Sequence, residues 1–204
     1  MTLLVEKYFI LFLLYSFAGW GIETILHSIE EKRFVYRGFF KGPYCPIYGC
    51  GALSSVFCLS RIENPLLIFV LGLMLCTALE YFTSCLMERI FHDRWWDYSN
   101  YRFNYQGRIC LLCSIGFGML IVLLIECVQP VAADTLDKIP LNMLHTFFIS
   151  LLIVYVIDNI YSFASYGERI KKLIKIPQFS ALPVIENIWR HGRKTTEQVN
   201  DKTA

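Results

Sequence analysis

The sequence predicts an all-α membrane protein with five transmembrane helices. Of its 204 residues, 55% are hydrophobic and 18% are charged, and the mean hydropathy is +0.46, which is more apolar than an ordinary soluble domain. The run from Leu66 to Leu71 is apolar at every position, whereas a transmembrane β-strand alternates apolar and polar residues. Helices satisfy their own backbone hydrogen bonds in lipid and are therefore the predicted spanning elements.

Five apolar stretches approach the roughly 20 residues that a helix needs to cross the hydrocarbon core. They are residues 8–29, 47–64, 65–91, 109–129 and 141–166. The second is short and the third is long, and Pro65 marks a tight hairpin between them. The first stretch follows Lys7, but no A-x-A cleavage pattern comes after it, so we interpret it as a retained helix rather than a signal peptide.

Lysine and arginine predict the orientation. With the N-terminus outside, the outside segments hold three of the 19 Lys and Arg residues, namely Lys7, Arg61 and Lys138. The others fall on the inside, as the positive-inside rule requires. This places the C-terminus inside and divides the chain into a transmembrane domain, residues 1–166, and a basic cytoplasmic tail, residues 167–204.

Two helical hairpins, the first helix with the second and the third with the fourth, show similar patterns. Fourteen residues separate Glu23 from Arg37, and fourteen separate Glu80 from Arg94. Each intervening loop is aromatic and contains glycine, and each is followed by a pair of cysteines. The pattern predicts a parallel repeat followed by a fifth helix. The alternative is that two-helix hairpins resemble one another in general.

Each of the three predicted spans that run inward carries a carboxylate well within the span, at Glu23, Glu80 and Asp158. Inserting a charge into hydrocarbon costs about 2.5–3.5 kcal/mol on insertion scales, so such a residue marks a candidate functional site. All three lie in the cytoplasmic halves of helices that run inward. We expect them to meet in one polar cavity that binds cations, protons or an amine-bearing substrate. The alternative is that each is neutralised separately, by hydrogen bonds or by an arginine.

The cytoplasmic loops supply the other candidate residues. Glycines and prolines between Arg37 and Gly51 prevent a continuous helix and favour a fixed, re-entrant or tightly turned backbone. The loop that begins at Trp95 has more specific polar content than an aromatic belt at the membrane interface requires. The full set of predicted ligand-binding or translocation residues is Glu23, His27, Arg37, Tyr44, Tyr48, Glu80, Arg94, Trp96, Asp97, Asn104, Arg108 and Asp158.

Signals for metal binding and for catalysis are weak. Cys110 and Cys113 form a CxxC motif to which Cys45, Cys50 and His92 can add ligands, but free cysteine is commonly a small buried hydrophobe. No metal and no cofactor is predicted. The sequence has no HExxH, GxSxG or Walker A motif, which argues against a hydrolase or a P-loop ATPase. A net charge of +2, sorted by membrane side, predicts no nucleic-acid partner.

Five motifs carry a family resemblance. They are Gly19-Trp20-Gly21-Ile22-Glu23, Arg37-Gly38-Phe39 with Gly42-Pro43-Tyr44-Cys45-Pro46-Ile47-Tyr48-Gly49, Leu79-Glu80-Tyr81, Trp95-Trp96-Asp97-Tyr98-Ser99, and Phe103-Asn104 with Gly107-Arg108-Ile109-Cys110-Leu111. Over roughly residues 8–166 the chain resembles the bacterial family labelled putative ABC-transporter type IV, or CmpB-like permease. The resemblance implies a multi-pass, permease-like component of a bacterial cytoplasmic membrane. It supplies no substrate and no agreed catalytic residue.

An ABC permease works with a separate ATPase subunit, so the resemblance also implies that partner beside the lipid bilayer. Five helices are few for a pathway through one protomer, which predicts a homo- or hetero-oligomer. The resemblance favours a transport protein with a polar intramembrane site lined by acidic residues. The alternative function is a membrane-embedded enzyme or sensor whose cytoplasmic-face pocket uses acids and arginines to hold an amphipathic or lipid ligand. A structural partner for another membrane protein is a third interpretation.

Overall fold

The computed structural model describes residues 2–36 and 38–175, with side chains over 3–36 and 38–166. Arg37 and residues 176–204, which hold most of the predicted tail, lie outside the described residues. The described part has five helices. They are α1 (Thr2–Glu30), α2 (Pro46–Leu59), α3 (Pro65–Phe91), α4 (Leu111–Asp137) and α5 (Leu141–Lys175). Residues 1–159 form one compact unit, and the described residues after it, 160–175, are helical.

Four helices are long and apolar enough to cross a membrane, which confirms an all-helical membrane protein. These spans are Leu3–Glu30, Pro65–Phe91, Leu111–Asp137 and Leu141–Tyr166. The second predicted span, residues 47–64, corresponds to α2, which has 14 residues. At 1.5 Å per residue α2 is about 21 Å long, shorter than the hydrocarbon core of about 30 Å. The predicted orientation of the termini remains a prediction.

The loop before α2 enters the bundle, so α2 begins near the middle of α1. The Cys45 amide donates a hydrogen bond of 3.0 Å to the carbonyl of Ser16, which lies near the middle of α1. Pro46 then begins α2, where the missing amide hydrogen costs nothing. We call the end of the bundle that holds residues 31–45 and 92–110 the loop end. The opposite end, with residues 60–64 and 138–140, is the turn end.

Helices α3 and α4 form the second hairpin. Asn64 caps the start of α3 by accepting hydrogen bonds from the amides of Leu66 and Leu67, as the favoured residue at that position does. Between α3 and α4, the strands β1 (Asn104–Tyr105) and β2 (Ile109–Cys110) form an antiparallel pair. The side chains of Thr77 and Ser114 meet at 2.8 Å, so α4, like α2, begins near the middle of its partner helix.

Helix α4 runs eight residues beyond its predicted end at Gln129 and contains a π-helical turn at Leu124–Val128. The turn ends just before Pro130, which has no amide hydrogen to complete a regular α-helical ladder. At the same level, the Tyr15 hydroxyl of α1 donates a hydrogen bond to the Gln129 side chain. A proline inside an apolar run is therefore accommodated by a local change of helix type, and the helix continues through it.

Small residues allow the hairpin helices to approach closely. Gly72 of α3 packs on Ile121 of α4, and Gly118 of α4 packs on Phe69 of α3; a Cβ atom at either glycine would lie 2.7 Å from a side-chain carbon of its neighbour. Close approach at small residues is the usual way in which membrane helices associate. The buried apolar core, which includes Ile68 at 0% exposure, lies between these contacts and the turn end.

Candidate functional site

Glu80 is buried inside the bundle, and only one of its two carboxylate oxygens has a hydrogen-bond partner among the described residues. The residue is 5% exposed, and its Oε1 atom accepts a hydrogen bond of 2.9 Å from the Tyr98 hydroxyl. Its Oε2 atom is also buried and has no hydrogen-bond partner among the described residues. Burying a carboxylate oxygen without a hydrogen bond costs free energy, so this atom is a candidate to bind a ligand or to carry a proton.

Glu23 lies within electrostatic range of Glu80. The Cys45 thiol donates to Glu23 Oε2 over 3.7 Å, and the Tyr48 hydroxyl is within hydrogen-bonding reach of the same carboxylate. The charges of Glu23 and Glu80 both act on Tyr48, and the charge of Glu23 acts on Glu80. We call Glu23, Tyr48, Glu80 and Tyr98 the acid centre.

Each side chain of the acid centre is held by the local fold. Gly19 leaves room for the Tyr48 ring, because a Cβ atom there would overlap the ring and lie 2.7 Å from its Cδ1 atom. Tyr98 is placed by the second loop, where its amide donates to the Gly107 carbonyl at 2.8 Å. Gly107 has a φ of +68°, a conformation that glycine adopts without strain.

Other predicted residues of the second loop hold it in shape. The Trp96 indole donates to the Arg108 carbonyl at 2.9 Å, and Asn104 donates to the Tyr101 carbonyl at 2.8 Å. Asp97 accepts from both the amide and the hydroxyl of Ser99, and these hydrogen bonds hold the pKa of the Asp97 carboxyl below its usual value. These hydrogen bonds give the second loop a defined conformation, which places the Tyr98 hydroxyl on Glu80.

Asp158 makes its hydrogen bonds to the first loop. The Gly42 amide donates to Asp158 Oδ1 at 3.1 Å, and the Tyr44 hydroxyl donates to Oδ2 at 2.5 Å. Burial, followed by this hydrogen bond and the charge of Asp158, raises the pKa of the Tyr44 hydroxyl. The Asn159 side chain also donates to the Tyr44 oxygen, at 3.3 Å. Glu23 and Glu80 lie within electrostatic range of each other and of Tyr48, whereas Asp158 makes its hydrogen bonds to the first loop.

The predicted arginines pair with a different acid. Arg94 donates to Glu88 Oε1 at 3.2 Å, and Arg108 donates to Glu88 Oε2 and to the hydroxyl of Ser84, the latter at 3.2 Å. Glu88 lies two turns beyond Glu80 on α3, toward the loop end. Arg94 and Arg108 therefore neutralise Glu88 near the loop end, whereas the Glu80 carboxylate lies two helical turns deeper.

The remaining predicted residues lie apart from the acid centre. His27 is a neighbour of Glu30 at 3.4 Å, and the position of Arg37 is outside the described residues. Among the cysteines, Cys50 is exposed and Cys110 caps α4 by accepting from the Cys113 amide at 3.4 Å. The described residues contain no group of three or more His, Cys, Asp or Glu side chains that is suited to a metal ion.

Tyr98 is a site residue that the sequence did not single out, although its neighbours Trp96 and Asp97 were predicted. Its ring packs edge-on to Tyr101, and burial, followed by the charge of Glu80, raises the pKa of its hydroxyl. The available signal was the Trp95–Tyr98 motif, which the family resemblance places in the characteristic core. Sequence spacing alone does not indicate which aromatic residue of this loop turns inward.

The comparison with protein families agrees with these features. The family model described as putative ABC-transporter type IV matches residues 10–163, a range that contains the acid centre and both loops. The chain belongs to this family. Searches of curated proteins and of solved structures give no match. As a putative ABC-transporter type IV protein with four membrane-length helices, it is a membrane protein of a transport family.

Proposed function

We propose that this protein is a membrane transport protein, or a permease-like subunit of one, whose acid centre binds a small cation, a proton or an amine-bearing substrate. The observation that carries the proposal is the buried Oε2 atom of Glu80, which has no hydrogen-bond partner among the described residues; a second carboxylate, Glu23, lies within electrostatic range of Glu80. The family to which the chain belongs supports transport.

Electrostatics favours a positively charged occupant. Two ionised carboxylates in a site of low dielectric constant repel each other, and a shared proton or a bound cation removes the repulsion. The hydroxyl oxygens of Tyr48 and Tyr98 can also act as acceptors toward a cation or an ammonium group. Separate neutralisation describes Asp158 and Glu88 better, because both of those acids have hydrogen-bond donors in place.

The position of the acid centre supports a path that is open to one side. It lies where α2 and α4 begin, next to the polar loops of the loop end. Toward the turn end, buried apolar side chains such as Val56, Ile68 and Ile121 close the bundle. A ligand that enters through the loop end therefore reaches the acids before it meets an apolar barrier, as in one state of a transporter with alternating access.

The proposal includes the cellular setting. The positive-inside distribution supports a cytoplasmic location for the loop end, and the family resemblance supports the cytoplasmic membrane of a bacterium as its setting. The loops of that end are then the surface on which a separate ATPase subunit docks. A homo- or hetero-oligomer supplies the helices that one chain lacks for a complete pathway.

The test uses the full-length protein reconstituted in lipid vesicles with an imposed ion gradient. Fluxes of protons and of methylammonium are measured for the parent, for Glu80→Gln and for Glu63→Gln, a control at an exposed turn. We expect the parent and the control to conduct at least one probe, and Glu80→Gln to lose that flux while inserting normally. Equal flux through the parent and Glu80→Gln would contradict the proposal.

A further inference from the structure

An apolar groove lies on the bundle, and none of the four residues of the acid centre lines it. It is formed by α1, α4, α5 and the first loop, and its volume is about 830 Å³. That is within the range of about 300–1,000 Å³ that is typical of small-molecule sites. Its lining includes Leu13, Phe17, Tyr44, Val131, Leu151 and Tyr155.

The groove is open along its side and closed at one end. Val131 is 67% exposed and Val154 is 63% exposed, so the open side faces the surroundings of the bundle. The first loop closes the end that lies at mid-depth, with Tyr44 buried there at 9% exposure. The opposite end lies near Leu136, beside the ion pair of 2.5 Å between Lys7 and Asp137 at the turn end.

The groove offers few polar groups to an occupant. Three of its lining residues have hydroxyls, and each has a partner. Tyr44 donates to Asp158, Thr135 donates to the carbonyl of Val131 at 2.7 Å, and the Tyr155 hydroxyl is within hydrogen-bonding reach of the Asn159 side chain. Three of its walls belong to helices that are long and apolar enough to cross a membrane. Its occupant is therefore a hydrocarbon group supplied from within the bilayer.

The length of the groove distinguishes a lipid chain from a protein helix. Along α5 it extends from Phe147 to Tyr155, which is about 12 Å at 1.5 Å per residue. The hydrocarbon of one leaflet is about 15 Å deep, half of the core of about 30 Å. A partner helix crosses both leaflets and needs a groove of the full depth, whereas this groove ends at the first loop.

The α1–α5 contact explains why a groove remains. The two helices meet through aromatic rings, with centroids 5.4 Å apart for Phe9 and Phe148 and 5.7 Å apart for Phe9 and Tyr155. These large rings hold the helix backbones apart. Protein interiors are close-packed. The space left beside these rings therefore favours an occupant that is flexible enough to fill it.

We propose that this groove binds one acyl chain of a bilayer phospholipid from the leaflet at the turn end, with the chain terminus against Tyr44 and the headgroup near the Lys7–Asp137 pair. The site is independent of the acid centre. It gives α5 a packing partner along the part of its surface that α1 does not reach.

The test uses the full-length protein in vesicles that contain a phospholipid with a photoreactive diazirine at the end of one acyl chain. After illumination, adducts are mapped by mass spectrometry. We expect enrichment at Phe17, Tyr44 and Tyr155 relative to Phe82, a lipid-exposed residue of α3. The enrichment should be lost in Val131→Trp, which fills the groove, and kept in Ile153→Trp, which lies on α5 outside the groove lining.

Three outcomes overturn the proposal. The first is equal labelling of groove residues and Phe82 in the parent. The second is unchanged enrichment in Val131→Trp. The third is protection of the groove residues with labelling confined to other faces, which would indicate a second copy of the chain as the occupant. Should Val131→Trp fail to fold, Leu151→Phe fills the same groove with a smaller change, and the same loss of enrichment is expected.

Discussion

Gly19 and Gly21 lie two residues apart on α1 and predict opposite responses to alanine. A Cβ atom at Gly19 would overlap the Tyr48 side chain close to its own backbone, at 2.7 Å from Cδ1, whereas a Cβ atom at Gly21 meets nothing within 4 Å. Attractive carbon contacts lie at about 3.5–4.0 Å, so Gly19→Ala requires α1 and α2 to move apart.

The magnitudes follow from two opposing effects. Overpacking costs about 1–3 kcal/mol, and replacing a helical glycine by alanine returns about 0.5–1 kcal/mol. We expect Gly19→Ala to lower the free energy of unfolding by about 1–2 kcal/mol and Gly21→Ala to raise it by up to about 1 kcal/mol. For a chain of this size, 1 kcal/mol corresponds to roughly 2–4 °C in Tm.

The assay is thermal unfolding of both variants and the parent in the same detergent. The expected result is a lower Tm for Gly19→Ala and an equal or higher Tm for Gly21→Ala. Because Tyr48 belongs to the acid centre, Gly19→Ala should also weaken any ligand binding there. Equal Tm changes in the two variants would refute the close contact between Gly19 and Tyr48.

Two further predictions concern the first loop. Tyr44→Phe removes the hydrogen bond to Asp158, and loss of a hydrogen bond to a charged group costs about 1.5–3 kcal/mol. Limited proteolysis of the first loop should therefore be faster in the variant than in the parent. An unchanged rate would show that this hydrogen bond does not hold the loop in place. Burial, followed by the charge of Glu23, raises the pKa of the Cys45 thiol to about 12, so this thiol stays protonated at pH 8. Its alkylation by iodoacetamide should be slower in the folded protein than in unfolded protein by roughly two to three orders of magnitude, and the rate should keep rising with pH, by about tenfold per pH unit, to beyond the pH at which the unfolded protein levels off. Equal rates measured by mass spectrometry would contradict this.

The membrane-length helices could be predicted from the sequence because long apolar runs indicate segments that lie in lipid rather than in water. Leu66–Leu71 cannot be part of anything but a span or a deep core. The C-terminal end of α2 could not be predicted this way, because the predicted span 47–64 included the turn of residues 60–64, whereas the helix ends at Leu59. The depth at which α2 begins depends on a tertiary contact, the hydrogen bond from the Cys45 amide to the Ser16 carbonyl, and hydropathy does not report such a contact.

The candidate site could be predicted in part. Membrane burial singles out Glu23 and Glu80 as costly residues, and in the structure they lie within electrostatic range of each other and of Tyr48. The fate of Asp158 depends on how the first loop folds back, and the inward turn of Tyr98 depends on the hydrogen bonds of the second loop. Both are properties of irregular backbone, where neither helical nor strand periodicity relates a residue to its neighbours.

The two hairpins share features at matched positions. Cys45 precedes α2 and Cys110 precedes α4, and each helix begins near the middle of its partner. Three residues after these cysteines come Tyr48 and Cys113, which are neighbours of Glu23 and of Tyr98 respectively. The parallel repeat remains a prediction, and these matched positions are where it can be examined.

The most direct test of the central claim, that Glu23 and Glu80 share one cation-accepting site, is the reaction of Glu80 with dicyclohexylcarbodiimide in vesicles, followed by mass spectrometry. This apolar reagent modifies carboxylic acids inside membranes. We predict that Glu80 is modified, that saturating methylammonium or sodium ions slow the reaction, and that Glu23→Gln removes this protection while Asp158→Asn preserves it. Modification of Glu80 at a rate that neither the cations nor Glu23→Gln changes would contradict the shared site.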